Sequence, residues 1–137
     1  MTSIMSDAML NAGADAMEAA VGASPTIEIY TGARPATLAT APTGTLLATA
    51  VMPADWATAA AGGLKTLNAV TLPITVSGDA GYFLIKQGAT RHWYGTVSRG
   101  AAYGGTGDLK MNRANESLVA GDSITVSGGS FGVGQPV

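Results

Sequence analysis

The 137-residue chain is 47% hydrophobic, but 25 of its residues are alanine, and only 12% are charged. Nine acids against seven bases leave a formal net charge of −2, which excludes the strongly basic balance of a general nucleic-acid binder. With no cysteine and a single histidine, disulfides, thiolate metal sites and cysteine nucleophiles are excluded, and no His-rich centre can be assembled.

The first basic residue is Arg34, and Asp7, Asp15 and Glu18 interrupt the opening residues. Neither a cleaved leader nor a stretch of roughly 20 apolar residues able to cross a membrane is therefore expected. Residues 1–24 read as a helix and linker. Ser3 or Ser6 can cap the start, Asp7 complements the positive end, and Gly22 followed by Ser24-Pro25 supplies a stop. Met9, Leu10, Ala16, Met17, Ala20 and Val21 share a broad face, with Asp15 and Glu18 off it. This stripe is too shallow to hold a helix in isolation. Met9, Ala16, Met17 and Ala20 are accordingly the candidate assembly contact, since small side chains permit close approach and thioethers fill irregular gaps. Covering one end of its own β-domain explains the helix equally well.

From Thr26 the apolar period changes from 3.6 to 2. Alternating stretches at 26–30, 46–51, 64–72, 74–76, 82–86, 91–98, 109–111 and 123–126 are separated by Gly- and Asp-rich turns. The expected fold is mainly β, a single domain over 25–137, built as an antiparallel β-sandwich or related barrel with one N-terminal α-helix. Residues 33–45 and 53–63 read as surface loops, the second with a short helical turn around 54–61. A three-residue connection, Gly88-Ala89-Thr90, would put Phe83, Ile85, Trp93 and Val97 on one face and Tyr82, Lys86, His92, Tyr94 and Thr96 on the other. A two-residue connection would set Lys86 against Arg91.

The chemistry-bearing residues form no known motif. Gly104, Gly105 and Gly107 lack the strand-to-helix context of a phosphate loop. Asp108, Glu116 and Asp122, with Asn112 and Asn115, miss the spacing of a calcium loop. His92 has no serine elbow to serve. No catalytic, cofactor-binding or metal-binding residue is expected, and no cofactor. Five of the seven bases lie between positions 86 and 113, a bias that solvated strand faces explain more readily than an anion patch. Trp56, Tyr94 and Tyr103 are candidate stacking groups for a sugar ring.

The phrases Ser24-Pro25-Thr26-Ile27-Glu28-Ile29-Tyr30-Thr31-Gly32-Ala33, Gly44-Thr45-Leu46-Leu47-Ala48, Gly81-Tyr82-Phe83-Leu84-Ile85 and Ala120-Gly121-Asp122-Ser123-Ile124-Thr125-Val126 resemble small structural proteins of tailed bacteriophage virions. The resemblance covers most of the chain after the helix. It implies a helix followed by an Ala-, Gly- and Thr-rich β-domain with no enzymatic activity, most readily a capsid decoration or auxiliary subunit. The implied partners are other virion proteins and further copies of the chain, with neither nucleic acid nor membrane, and the implied location is the virion after synthesis in the host cytoplasm. The alternative is a carbohydrate- or receptor-binding module of a phage tail or surface protein, acting through Trp56, Tyr94 or Tyr103.

Overall fold

The structure is a computed structural model and describes residues 4–133. One helix, α1 (Asp7–Val21), precedes ten strands: β1 (Thr26–Thr31), β2 (Leu46–Val51), β3 (Leu64–Thr66), β4 (Val70–Pro73), β5 (Gly78–Gln87), β6 (Thr90–Ser98), β7 (Leu109–Met111), β8 (Ser117–Leu118), β9 (Ser123–Ser127) and β10 (Ser130–Gly132). The main sheet runs β2-β1-β5-β6-β7-β9-β4, with β8 paired to β5, while β3 and β10 form a separate ribbon. An antiparallel bridge between Ala48 and Ile74, with Thr75 N donating to Leu47 O at 2.8 Å, brings the two ends of the sheet together into a nearly closed barrel. The fold is thus mainly β with one N-terminal helix. Pairing is antiparallel except between β6 and β7, which run parallel through Val97 opposite Leu109 and Ser98 opposite Lys110.

Alternation places the core. Ile27 and Ile29 of β1, Phe83 and Ile85 of β5, and Ile124 and Val126 of β9 are buried inside the barrel, each contributing about 1.5–3 kcal/mol relative to an exposed position. Met52 and Trp56 lie in the loop beyond β2 and close the core from the side. That loop holds no helical turn: Ala57 bridges to Leu67, and Ala61 to Leu64, in extended backbone.

Two expected strands are altered. The alternating stretch 64–72 divides into β3 and β4, which join different sheets. The break falls at Leu67 and Asn68, whose amides turn to Gly129 O and Trp56 O. Residues 74–76 follow β4 as a bridge at Ile74 and a bend at Val76 without forming a strand of their own.

The β5–β6 hairpin corrects the expected turn while keeping most of its consequence. Gln87 pairs with Thr90 and Lys86 with Arg91, so the connection is the two residues Gly88-Ala89, with Gly88 at φ +57°, the sign that a Gly-first hairpin turn requires. An irregularity then inserts His92, and pairing resumes with Ile85 opposite Trp93. From that point the register is the expected one, and Phe83, Ile85, Trp93 and Val97 pack on the core. The like charges of Lys86 and Arg91 are tolerated because each finds another partner. Lys86 Nζ lies 3.3 Å from Glu28 Oε2, while Arg91 donates to the carbonyls of Leu38 at 2.7 Å and Ala39 at 3.0 Å.

Candidate interaction surface

Helix α1 begins where Ser6 accepts a hydrogen bond from Met9 N at 3.3 Å and ends where Gly22 N donates to Glu18 O at 3.0 Å. Ser3, the other candidate cap, lies outside the described residues. The helix docks on the β3–β10 ribbon through Leu10 and Ala14, both buried. Gly63, at φ +80°, makes this approach possible: a Cβ there would lie 2.0 Å from Val133 O and 2.8 Å from the Leu10 Cβ. Its amide donates to Asn11 Oδ1 at 2.9 Å.

One leucine and one alanine give a small apolar gain, so polar ties carry much of the docking. Lys65 of β3 is buried and points at the helix, its Nζ 2.7 Å from Asp15 Oδ1 and 2.6 Å from Glu18 Oε2. The Asp15 carboxylate, then that of Glu18, holds the Lys65 ammonium above its ordinary range. At the far end Trp56 Nε1 donates to Gly22 O at 3.0 Å, and Gln87 Nε2 to Val21 O at 3.2 Å and Ala23 O at 2.8 Å, satisfying carbonyls that a helix end leaves free. The sequence placed Asp15 and Glu18 off the helix stripe without finding their partner. The lysine lies some fifty positions away, and no local pattern connects them.

With that side anchored, Met9, Ala16 and Ala20 are exposed on another flank of α1, Met9 at 61%. Their offsets of seven and four residues keep them on one stripe. Met17 is separated from this group. It lies at the rim of a groove of about 200 Å³ formed with Val21, Trp56, His92, Trp93 and Phe131, where rings of Trp56 and Phe131 stack at 5.2 Å.

The candidate stacking groups are dispersed. Trp56 is 1% exposed, its indole consumed by Phe131 and Gly22, and it therefore cannot offer a face to a ligand. Tyr94 is half-buried, edge-on to Tyr82 at 5.8 Å, with its hydroxyl donating to Thr40 O at 2.9 Å. Only Tyr103 among the three is open, at 56%. It sits on a short 3₁₀ turn, Ala101–Tyr103, whose last carbonyl accepts from Arg99 Nε at 2.6 Å.

The acids and bases are likewise spent on local structure. Asp108 Oδ2 accepts from Thr96 N at 3.0 Å, Glu116 from Arg99 N at 2.6 Å, and Asp122 lies 3.5 Å from Arg113. The Arg99 amide, with its guanidinium, holds the Glu116 carboxyl below the usual range. Lys110 donates to Gly107 O at 3.0 Å. The bases of 86–113 thus serve individual local contacts rather than one concentrated anion site. Among the described residues, no group of three or more His, Asp or Glu side chains is placed to hold a metal ion. No described helix is long and apolar enough to cross a membrane. Comparison of the chain with protein-family models, with curated proteins and with solved structures finds no match.

Proposed function

We propose that the chain is a non-enzymatic structural subunit of a virion, a capsid decoration or auxiliary protein that acts through protein–protein contacts with copies of itself and other virion proteins. The observation that carries this reading is the outward stripe of Met9, Ala16 and Ala20 on a helix anchored through other side chains. A flat, uncharged, small-residue surface on a fixed support is suited to close packing against a partner. The sequence phrases resembling phage structural proteins support the virion part of this reading. A glycan-binding module has less support, because Trp56 is internal and Tyr103 stands without a second exposed ring beside it among the three candidates.

The double variant Met9→Glu/Ala16→Glu tests the contact, since both positions are exposed and the barrel core is untouched. Sedimentation of the purified wild-type chain should show an oligomer that the variant converts to monomer, with an unchanged melting curve. Antibody raised against the chain should label purified particles in electron micrographs. A wild-type monomer together with unlabelled particles would overturn the reading.

A further inference from the structure

We propose that residues 33–45 form a flap that detaches from the barrel as a unit while the barrel remains folded. The segment leaves at β1 and returns at β2, and its base is closed by Thr31 N donating to Thr45 O at 3.1 Å and Thr45 N donating to Thr31 Oγ1 at 2.9 Å. Between these ends only Pro35 is buried and Pro42 half-buried; every other residue is exposed, Leu38 at 42%. The segment therefore buries little apolar surface of its own beyond Pro35, and what it covers is chiefly the Tyr82 ring. Yet it lies over the outward face of β5 and β6, where Tyr82 is fully buried.

Four hydrogen bonds hold it there, and all run from side chains of the hairpin to carbonyls of the segment. Arg91 donates to Leu38 O and Ala39 O, Tyr94 to Thr40 O, and Tyr82 to Thr43 O. Internal bonds, Thr40 N to Thr37 O at 3.2 Å and the paired hydroxyls of Thr37 and Thr40 at 3.2 Å, tie its middle together so that it moves as one piece. On opening, the surface carbonyls exchange these donors for water at small net cost and a single aromatic ring, Tyr82, is exposed, whereas separating β1 from β5 would expose the whole Ile27 and Phe83 core. Segments with few apolar contacts open below the free energy of global unfolding. Opening uncovers Tyr82, whose ring stacks on Tyr30 at 5.2 Å; beside them Glu28 accepts from the Tyr30 hydroxyl at 2.9 Å and lies 3.3 Å from Lys86 Nζ. The flap is thus a built-in mask over a polar aromatic floor.

Thermolysin digestion of the full chain tests this at the Thr37–Leu38 bond, with near-ultraviolet circular dichroism reporting the tryptophan environment of the barrel. Without denaturant, the bond should be cut and the nicked chain should keep the intact tryptophan signal. Tyr94→Phe, which keeps the ring and removes one bond, should raise the cutting rate about fivefold, and Arg91→Ala more than tenfold, with the urea midpoint of the barrel nearly unchanged. Cutting only in parallel with loss of the tryptophan signal would overturn the flap. So would variants that leave the cutting rate unaltered, or that raise it only in proportion to a loss of global stability.

Discussion

Gly95 lies across the hairpin from Phe83, and a Cβ at that position would stand 2.4 Å from the ring Cε1 and 2.5 Å from Cζ. The ring cannot yield, because it is fully buried and edge-on to Trp93 at 5.2 Å. Gly95→Ala should therefore destabilise the protein by about 1–3 kcal/mol through overpacking, read as a lower urea midpoint. A neutral result would show that Phe83 has room to shift. At the same scale, the position of protons makes stability fall in alkali. Burial, then the hydrogen bond to Glu28, raises the Tyr30 hydroxyl well above its ordinary 10.0; burial raises Tyr94 as well, and Asp15 and Glu18 raise Lys65 above 10.5. The native state retains these protons where the unfolded chain releases them, so their contribution is fully present below about pH 10 and is lost as pH climbs beyond it. Melting temperature should drop more steeply from about pH 10 to 11 than from about pH 9 to 10, and Tyr30→Phe should soften the drop. Equal slopes in the two proteins would contradict this assignment.

At the scale of the element, α1 is part of the β-domain's own structure as well as a candidate contact. Removing residues 1–22 takes away both carboxylates from the buried Lys65 and the carbonyl from the Trp56 indole. Deleting the helix also opens Lys65 to water, so the loss is that of the buried Leu10 and Ala14, about 1.5–3 kcal/mol for the leucine, together with the ion pairs and the Trp56 cap. The truncated chain should melt below the full one, and in the full chain Asp15→Asn/Glu18→Gln, which leaves the Lys65 ammonium covered but without a carboxylate, should also melt lower, with Lys65→Met in that double variant recovering part of the loss. Failure of Lys65→Met to recover any stability would place the helix contribution elsewhere. The helix boundaries were legible from Ser6 and Gly22 because caps act through the adjacent turn. Its orientation was less so: a stripe of Ala and Met presents two nearly equivalent flanks, and the close approach of Gly63 and the reach of Lys65 determined which one turned inward.

For the whole molecule, the proposed association uses an outward stripe without a charged side chain. Self-association through Met9, Ala16 and Ala20 should therefore hold or strengthen as salt rises from about 0.1 to 1 M, whereas a contact between charged surfaces would weaken. Sedimentation at the two salt levels distinguishes them.

The sequence by itself determined the class of the fold, the helix span and the register of the β5–β6 hairpin beyond its turn, because side-chain period, capping and glycine turns are properties of a few neighbouring residues. Ile27, Ile29, Ile124 and Val126 alternate with polar neighbours, Phe83 and Ile85 flank Leu84, and the barrel buries all six. Only the tertiary structure decided what covers the other face. Tyr82 alternates as an outward residue, yet residues 33–45 lie over it. Trp56 belongs to a loop by its neighbours but fills the core beside Phe131, and the stretch 64–72 parts at Leu67 to serve two sheets. In each case the deciding partner lies far away along the chain, and a pattern of neighbours carries no information about it.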